Sequence, residues 1–180
     1  MKTDVVKGAS AGAVGVWAMD TVTWAVYRRE DPATIRREKQ VRAFGKDPAH
    51  ALAQRLARRG GSDVAEIEPN AAGIAIHAGL GMAPGALYPA LRRRLPWLRA
   101  GRGTVYGLAL FVVNDEIAGR LLGIMGPQRG YPWRTHLRGL LGHVVLGVVT
   151  EMTLNVLEEQ SSSQYEPREH QGEATDEQAA

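Results

Sequence analysis

Asp20, His77, Asp115, Glu116, His143 and Glu151 all sit inside long apolar runs of this chain. An ionisable group isolated in hydrocarbon costs at least a few kcal/mol, so such residues should face inward and pair. Three chemistries fit the set. Imidazoles titrate near neutral pH and carboxylates can relay protons, which makes a proton or cation site within a membrane. Two histidines with one or two carboxylates also suit zinc or non-haem iron by ligand type, and the same reading extends to a haem. Its candidate ligands are His77, His143, Asp20 and Asp115, but no E-x-x-H or H-E-x-x-H spacing accompanies them. The third chemistry is a hydrogen-bonded knot that fixes helix register, each His donating to Asp20, Asp115 or Glu116. Nucleophilic hydrolysis is the weakest reading: there is no G-x-S-x-G, and Ser10 is the one serine in the apolar runs. No catalytic residue is assigned, no motif requires a cofactor, and a non-enzymatic role is expected.

The elements that must position these groups are four apolar runs, 8–27, 71–91, 103–122 and 139–157. At about 1.5 Å rise per residue, each spans roughly 30 Å, the thickness of a bilayer core. Reading every fourth residue gives a ridge of glycines alternating with polar groups. In the last run it is Gly139, His143, Gly147, Glu151 and Asn155. In the first it is Gly8, Gly12, Val16, Asp20 and Trp24, and in the second Gly73, His77, Gly81 and Gly85. The third reads Gly103, Gly107, Phe111, Asp115, Gly119 and Gly123. Small residues let helix backbones approach closely while hiding polar groups from lipid. The expected fold is therefore all-α: an integral membrane four-helix bundle packed through glycine. The alternative is a soluble all-helical domain with long buried helices.

Two of the runs are irregular. Pro84 should break or bend the second helix, because it removes a backbone hydrogen bond. Asn114-Asp115-Glu116 interrupts the third, so a broken or re-entrant helix is one outcome there; Glu116 and Arg120 are spaced to pair. Antiparallel threading places Asp20, His77, Asp115 and His143 about 6–10 Å from one bilayer edge, and Glu151 about 18 Å from it. Trp24, Tyr27, Tyr131 and Trp133 fall at that edge, and Tyr88, Trp97 and Tyr106 at the other, as an aromatic belt.

Between the first two runs, residues 28–70 form a polar helical insert. Asp31-Pro32 and Asp47-Pro48 each read as an N-cap followed by Pro at the first helical position. The helix from Pro48 to Arg59 should lie at the membrane surface through Leu52 and Leu56, with Arg55, Arg58 and Arg59 near headgroups. Residues 158–180 are polar, acidic and without periodicity, which predicts a disordered tail.

The chain contains no Cys, which excludes disulfides and thiolate chemistry. Lys+Arg number 22 against 19 Asp+Glu, and the basic residues flank apolar runs instead of forming a continuous basic face. Lipid headgroups are thus the expected partner and nucleic acid is not. Glycine-rich faces offer a route to a homo-oligomer. The first run is too long, and too interrupted by Asp20, for a cleavable signal. Arginines border both edges, leaving only a slight bias of orientation.

Glu30-Asp31-Pro32 after a Gly-rich first run, His77 in a Gly/Pro-rich second run, and Gly142-His143 opening the last resemble the YagU-type bacterial inner-membrane proteins. The resemblance covers residues 1–157. It implies a small multi-pass protein of the bacterial cytoplasmic membrane with a link to acid tolerance. It carries over no catalytic residue.

Overall fold

The computed structural model describes residues 2–62 and 68–163, and among these every regular element is helical. Four long stretches form the bundle. They are α1 (Lys2–Tyr27), α4 (Ala71–Arg94), α5 (Thr104–Phe111) with its continuation, and α7 (Trp133–Ser163). The insert supplies α2 (Pro32–Val41) and α3 (Pro48–Arg59). Asp31 and Asp47 cap these two, accepting from the backbone N–H groups of Ala33 and Thr34, and of Ala49 and His50.

Glycine sets the helix crossings. α1 runs antiparallel to α4, with Gly8 and Gly12 against Gly85 and Gly81. A Cβ on Gly12 would lie 2.5 Å from the Gly81 carbonyl oxygen and 3.0 Å from Gly85 Cα, closer than any side chain tolerates. The other side of α1 meets α7, also antiparallel, through Gly15 on Thr150 and Gly142 on Thr23 and Met19. α5 then crosses α7 with Gly103 and Gly107 against Gly147 and the His143 carbonyl. Stacked Tyr88 and Tyr106 rings, 3.9 Å apart, join α4 to α5 and close the bundle. The ridges are thus occupied by helices of the same chain.

The third run neither stops nor re-enters at Asn114-Asp115-Glu116. α5 passes into a π-helical segment, Val112–Ala118, followed by the short α6 (Gly119–Leu121) and a positive-φ Gly123. A π turn widens the helix locally and is frequent at functional sites. α4 likewise continues through Pro84 and Pro89 to Arg94, so the expected break at Pro84 does not occur. α7 begins at Trp133 and runs past Leu157 to Ser163; the rest of the expected tail, 164–180, lies outside the described residues.

The aromatic belt divides by residue type. Trp24, Trp97 and Trp133 are exposed and Tyr27 is half-buried, whereas Tyr88, Tyr106 and Tyr131 are buried, so these last three tyrosines belong to the packing and not to a belt. By length and composition α4 and α7 are apolar enough to cross a membrane. Neither α1 nor α5 meets the same measure: Asp20 and the threonines dilute α1, and the π segment leaves α5 short.

Candidate functional site

The long helical stretches and α3 line a half-open cavity of about 500 Å³. Asp20 from α1, His77 from α4, Asp115 from the π segment and His143 from α7 all line it. His77 Nε2 lies 2.8 Å from Asp20 Oδ1 and 3.0 Å from Oδ2, a bifurcated pair across the α1–α4 crossing. His143 donates from Nδ1 to the Gly139 carbonyl at 2.9 Å, and the same nitrogen lies 3.7 Å from Asp115 Oδ2. The edge of Phe111 meets the His143 ring at 5.7 Å. The four residues therefore share one cavity as two Asp–His pairs.

The cavity has a third Asp–His pair, from the insert. Asp47 and His50 line it from the start of α3, with His50 Nδ1 2.6 Å from Asp47 Oδ2. The Asn70 backbone N–H donates to His50 Nε2 at 3.1 Å. That bond requires a lone pair on Nε2, so the proton sits on Nδ1 and points at Asp47. The His50 ring rests on Gly73, where any Cβ would collide with it. Ala49, Ala51, Ala53 and Gln54 are buried with His50, while Leu56 is exposed. α3 thus packs on the bundle by its small-residue face and leaves Leu56 outward, with Leu52 half-buried. Arg55 reaches the Gly123 carbonyl at 3.4 Å and ties α3 to the end of α6.

As a metal centre the four expected ligands do not converge. Among the described residues, the group of three ligands within 4.8 Å of one another is Asp47, His50 and Glu68. Both ring nitrogens of His50 already hold hydrogen bonds, so a metal there would have to displace Asp47 or Asn70.

Glu116 and Glu151 belong elsewhere. Glu116 stands beside Arg120, 3.2 Å away, and His136, 3.6 Å away. Glu151 is only 3% exposed and lies at the opposite end of the bundle. Arg92 Nη1 donates to it at 3.0 Å and to Asn155 Oδ1 at 2.8 Å, and Arg99 Nε donates to its second oxygen at 3.0 Å. Arg92 also pairs with Glu158. The sequence missed this because Arg92 reads as part of a headgroup turn, whereas the helix carries it one turn beyond Tyr88 into the interior.

A second ion network fastens the insert to the bundle. Arg138 donates to Glu30 and to Glu38, each at 2.6 Å, and Arg42 and Thr135 also donate to Glu38. Burial by itself raises the Glu38 carboxyl pKa, but the bonds from Arg138 and Arg42 outweigh it and hold it below the usual value. The resulting stabilisation is complete above the unfolded carboxylate pKa and is lost as pH falls through the lowered folded value.

Asp47 and His50 were missed by the sequence reading, although a D-x-x-H spacing at a helix start facing a glycine ridge was the available signal. No family model, no curated protein and no solved structure matches the chain.

Proposed function

We propose that this is a multi-pass membrane protein, in a bacterial cytoplasmic membrane, whose cavity handles protons or small cations. The observation that carries the reading is the meeting of Asp20–His77 and Asp115–His143 in one cavity between the long helices. Imidazole is the side chain suited to passing protons under physiological conditions, and here the Asp20 carboxylate orients His77 while the Gly139 carbonyl orients His143 beside Asp115.

The outward surface supports the membrane setting. Only 22% of the most apolar window of α4 and 39% of that of α7 is buried, whereas a soluble core helix would be mostly covered. Trp17, at 71% exposure, Leu87, Val113, Leu121 and Val156 face outward, while Gly81, Gly85, Arg92, His143 and Glu151 are buried. That inversion suits lipid and exposes far more apolar area than water tolerates. Under this reading α1 and the stretch from α5 to α6 are the remaining two spans. The resemblance to YagU-type proteins points the same way, towards acid tolerance. Two outcomes are expected. The protein should remain with membranes through carbonate extraction, and recovery in the soluble fraction without detergent would remove the setting.

The second concerns proton movement in proteoliposomes between pH 5 and 8. Gln in place of His still forms hydrogen bonds but does not titrate, so His77→Gln and His143→Gln should melt near wild type yet lose about tenfold or more of the flux. Wild-type flux in both variants at every pH would leave the pairs as a purely structural knot.

A further inference from the structure

The cavity is unusual in what it offers a ligand. Asp20, Asp47 and Asp115 line it, and among the described residues no Lys or Arg does. His143 is 4% exposed, and its Nδ1 proton is committed to the Gly139 carbonyl. In the neutral imidazole its Nε2 is then a lone-pair acceptor, with no hydrogen-bond partner among the described residues, on a side chain that borders the cavity. His50 has neither nitrogen to spare. The polar lining thus holds the three carboxylates, beside His77, whose Nε2 donates to Asp20, and the Asn114 amide. The remaining walls are apolar: Val16, Met19, Ile74, Leu80 and Leu146.

A bare metal ion needs three or four ligand atoms at about 2.0–2.2 Å from one point. Neither Asp20–His77 nor Asp115–His143 has a third such ligand among the described residues. At Asp47–His50, where Glu68 is the third, both imidazole nitrogens already hold hydrogen bonds. A larger cation with N–H groups and an apolar body matches both the acceptors and the walls. We infer that the cavity binds a small organic ammonium ion, a primary or secondary amine with an apolar tail. The ammonium group lies among Asp20, Asp115 and His143 Nε2, and the tail lies along Ile74, Leu80 and Leu146. This deepens the cation-handling reading and rests on it.

The test is calorimetric titration of the full chain in detergent with phenethylammonium chloride. Three controls accompany it: 2-phenylethanol, with the same tail and no charge; tetraethylammonium, charged but lacking N–H; and zinc chloride. Saturable binding of phenethylammonium is expected, weakened by about tenfold or more in Asp20→Asn and Asp115→Asn, since each removes a charged acceptor. Ile74→Trp should weaken it too by filling space without touching a charge, which guards against a carboxylate variant that fails to fold. Equal binding of 2-phenylethanol or of tetraethylammonium overturns the inference, as does zinc binding in place of the amine. Unchanged amine affinity in the folded Asp variants also overturns it. Loss of flux in His77→Gln with no amine binding would remove this inference and leave proton handling standing. Amine binding without proton flux would do the reverse.

Discussion

Gly147→Leu is expected to disrupt the α5–α7 crossing, while Val148→Leu, the next residue on the same helix, leaves it intact. A Cβ on Gly147 would already lie 2.5 Å from the Gly107 nitrogen and 2.7 Å from its Cα, and both are backbone atoms that cannot rotate away. The helices would have to separate, and with them His143, whose carbonyl lies against Gly107 on the same crossing. Overpacking of this kind costs about 3 kcal/mol or more, or roughly 10 °C in melting temperature. Val148 is only half-buried and has room to exchange one branched side chain for another. Thermal unfolding in detergent checks the pair. Equal melting temperatures would mean that the α5–α7 contact is not the close backbone approach described here.

Glu151→Leu should be the most damaging change at the opposite end. It would leave Arg92, 7% exposed, without its interior carboxylate, and would free Arg99 from the helix. Removing one partner of a buried ion pair typically costs about 3–5 kcal/mol, because the other charge is stranded. Glu158 still meets Arg92 from the rim, which reduces the loss but cannot reach Arg99's position on the other oxygen. Glu151→Gln keeps the shape and one good acceptor, so it should lose about half as much. Equal melting temperatures for the Leu and Gln variants would show that water already solvates this pair.

What the sequence made legible follows from which signals are local. Glycine every fourth residue reports close approach directly, and it identified the faces at Gly8, Gly12, Gly81, Gly85, Gly107 and Gly147. Equal depth on sequential antiparallel helices was enough to bring Asp20 to His77, and it put Asp115 and His143 at one level without pairing them. The π turn was not legible: three polar residues in an apolar run report a cost without saying how the backbone will meet it. The face by which α3 meets the bundle was not legible, because a Leu pair outweighs alanines on any hydrophobic scale, although a glycine ridge selects small partners over greasy ones. Glu151 was placed by depth alone, which ignores how far an arginine on the next helix can reach. Tyr88 and Tyr106 were assigned to a belt by position, while their mutual stacking depends on a crossing that no single segment encodes.

The crossing of Gly8 and Gly12 with Gly81 and Gly85 has a consequence for how the helices come together. A leucine or isoleucine fixed in a contact gives up about 0.5–1 kcal/mol of rotamer freedom, and glycine gives up none. Four leucines in those places would therefore oppose docking by about 2–4 kcal/mol that the glycines do not. In water, hydrophobic gain would more than offset that loss, but among lipid tails the gain is largely absent. α1 and α4 meet through residues with no rotamers to order, so under the proposed membrane setting even the modest attraction between two backbones would hold them.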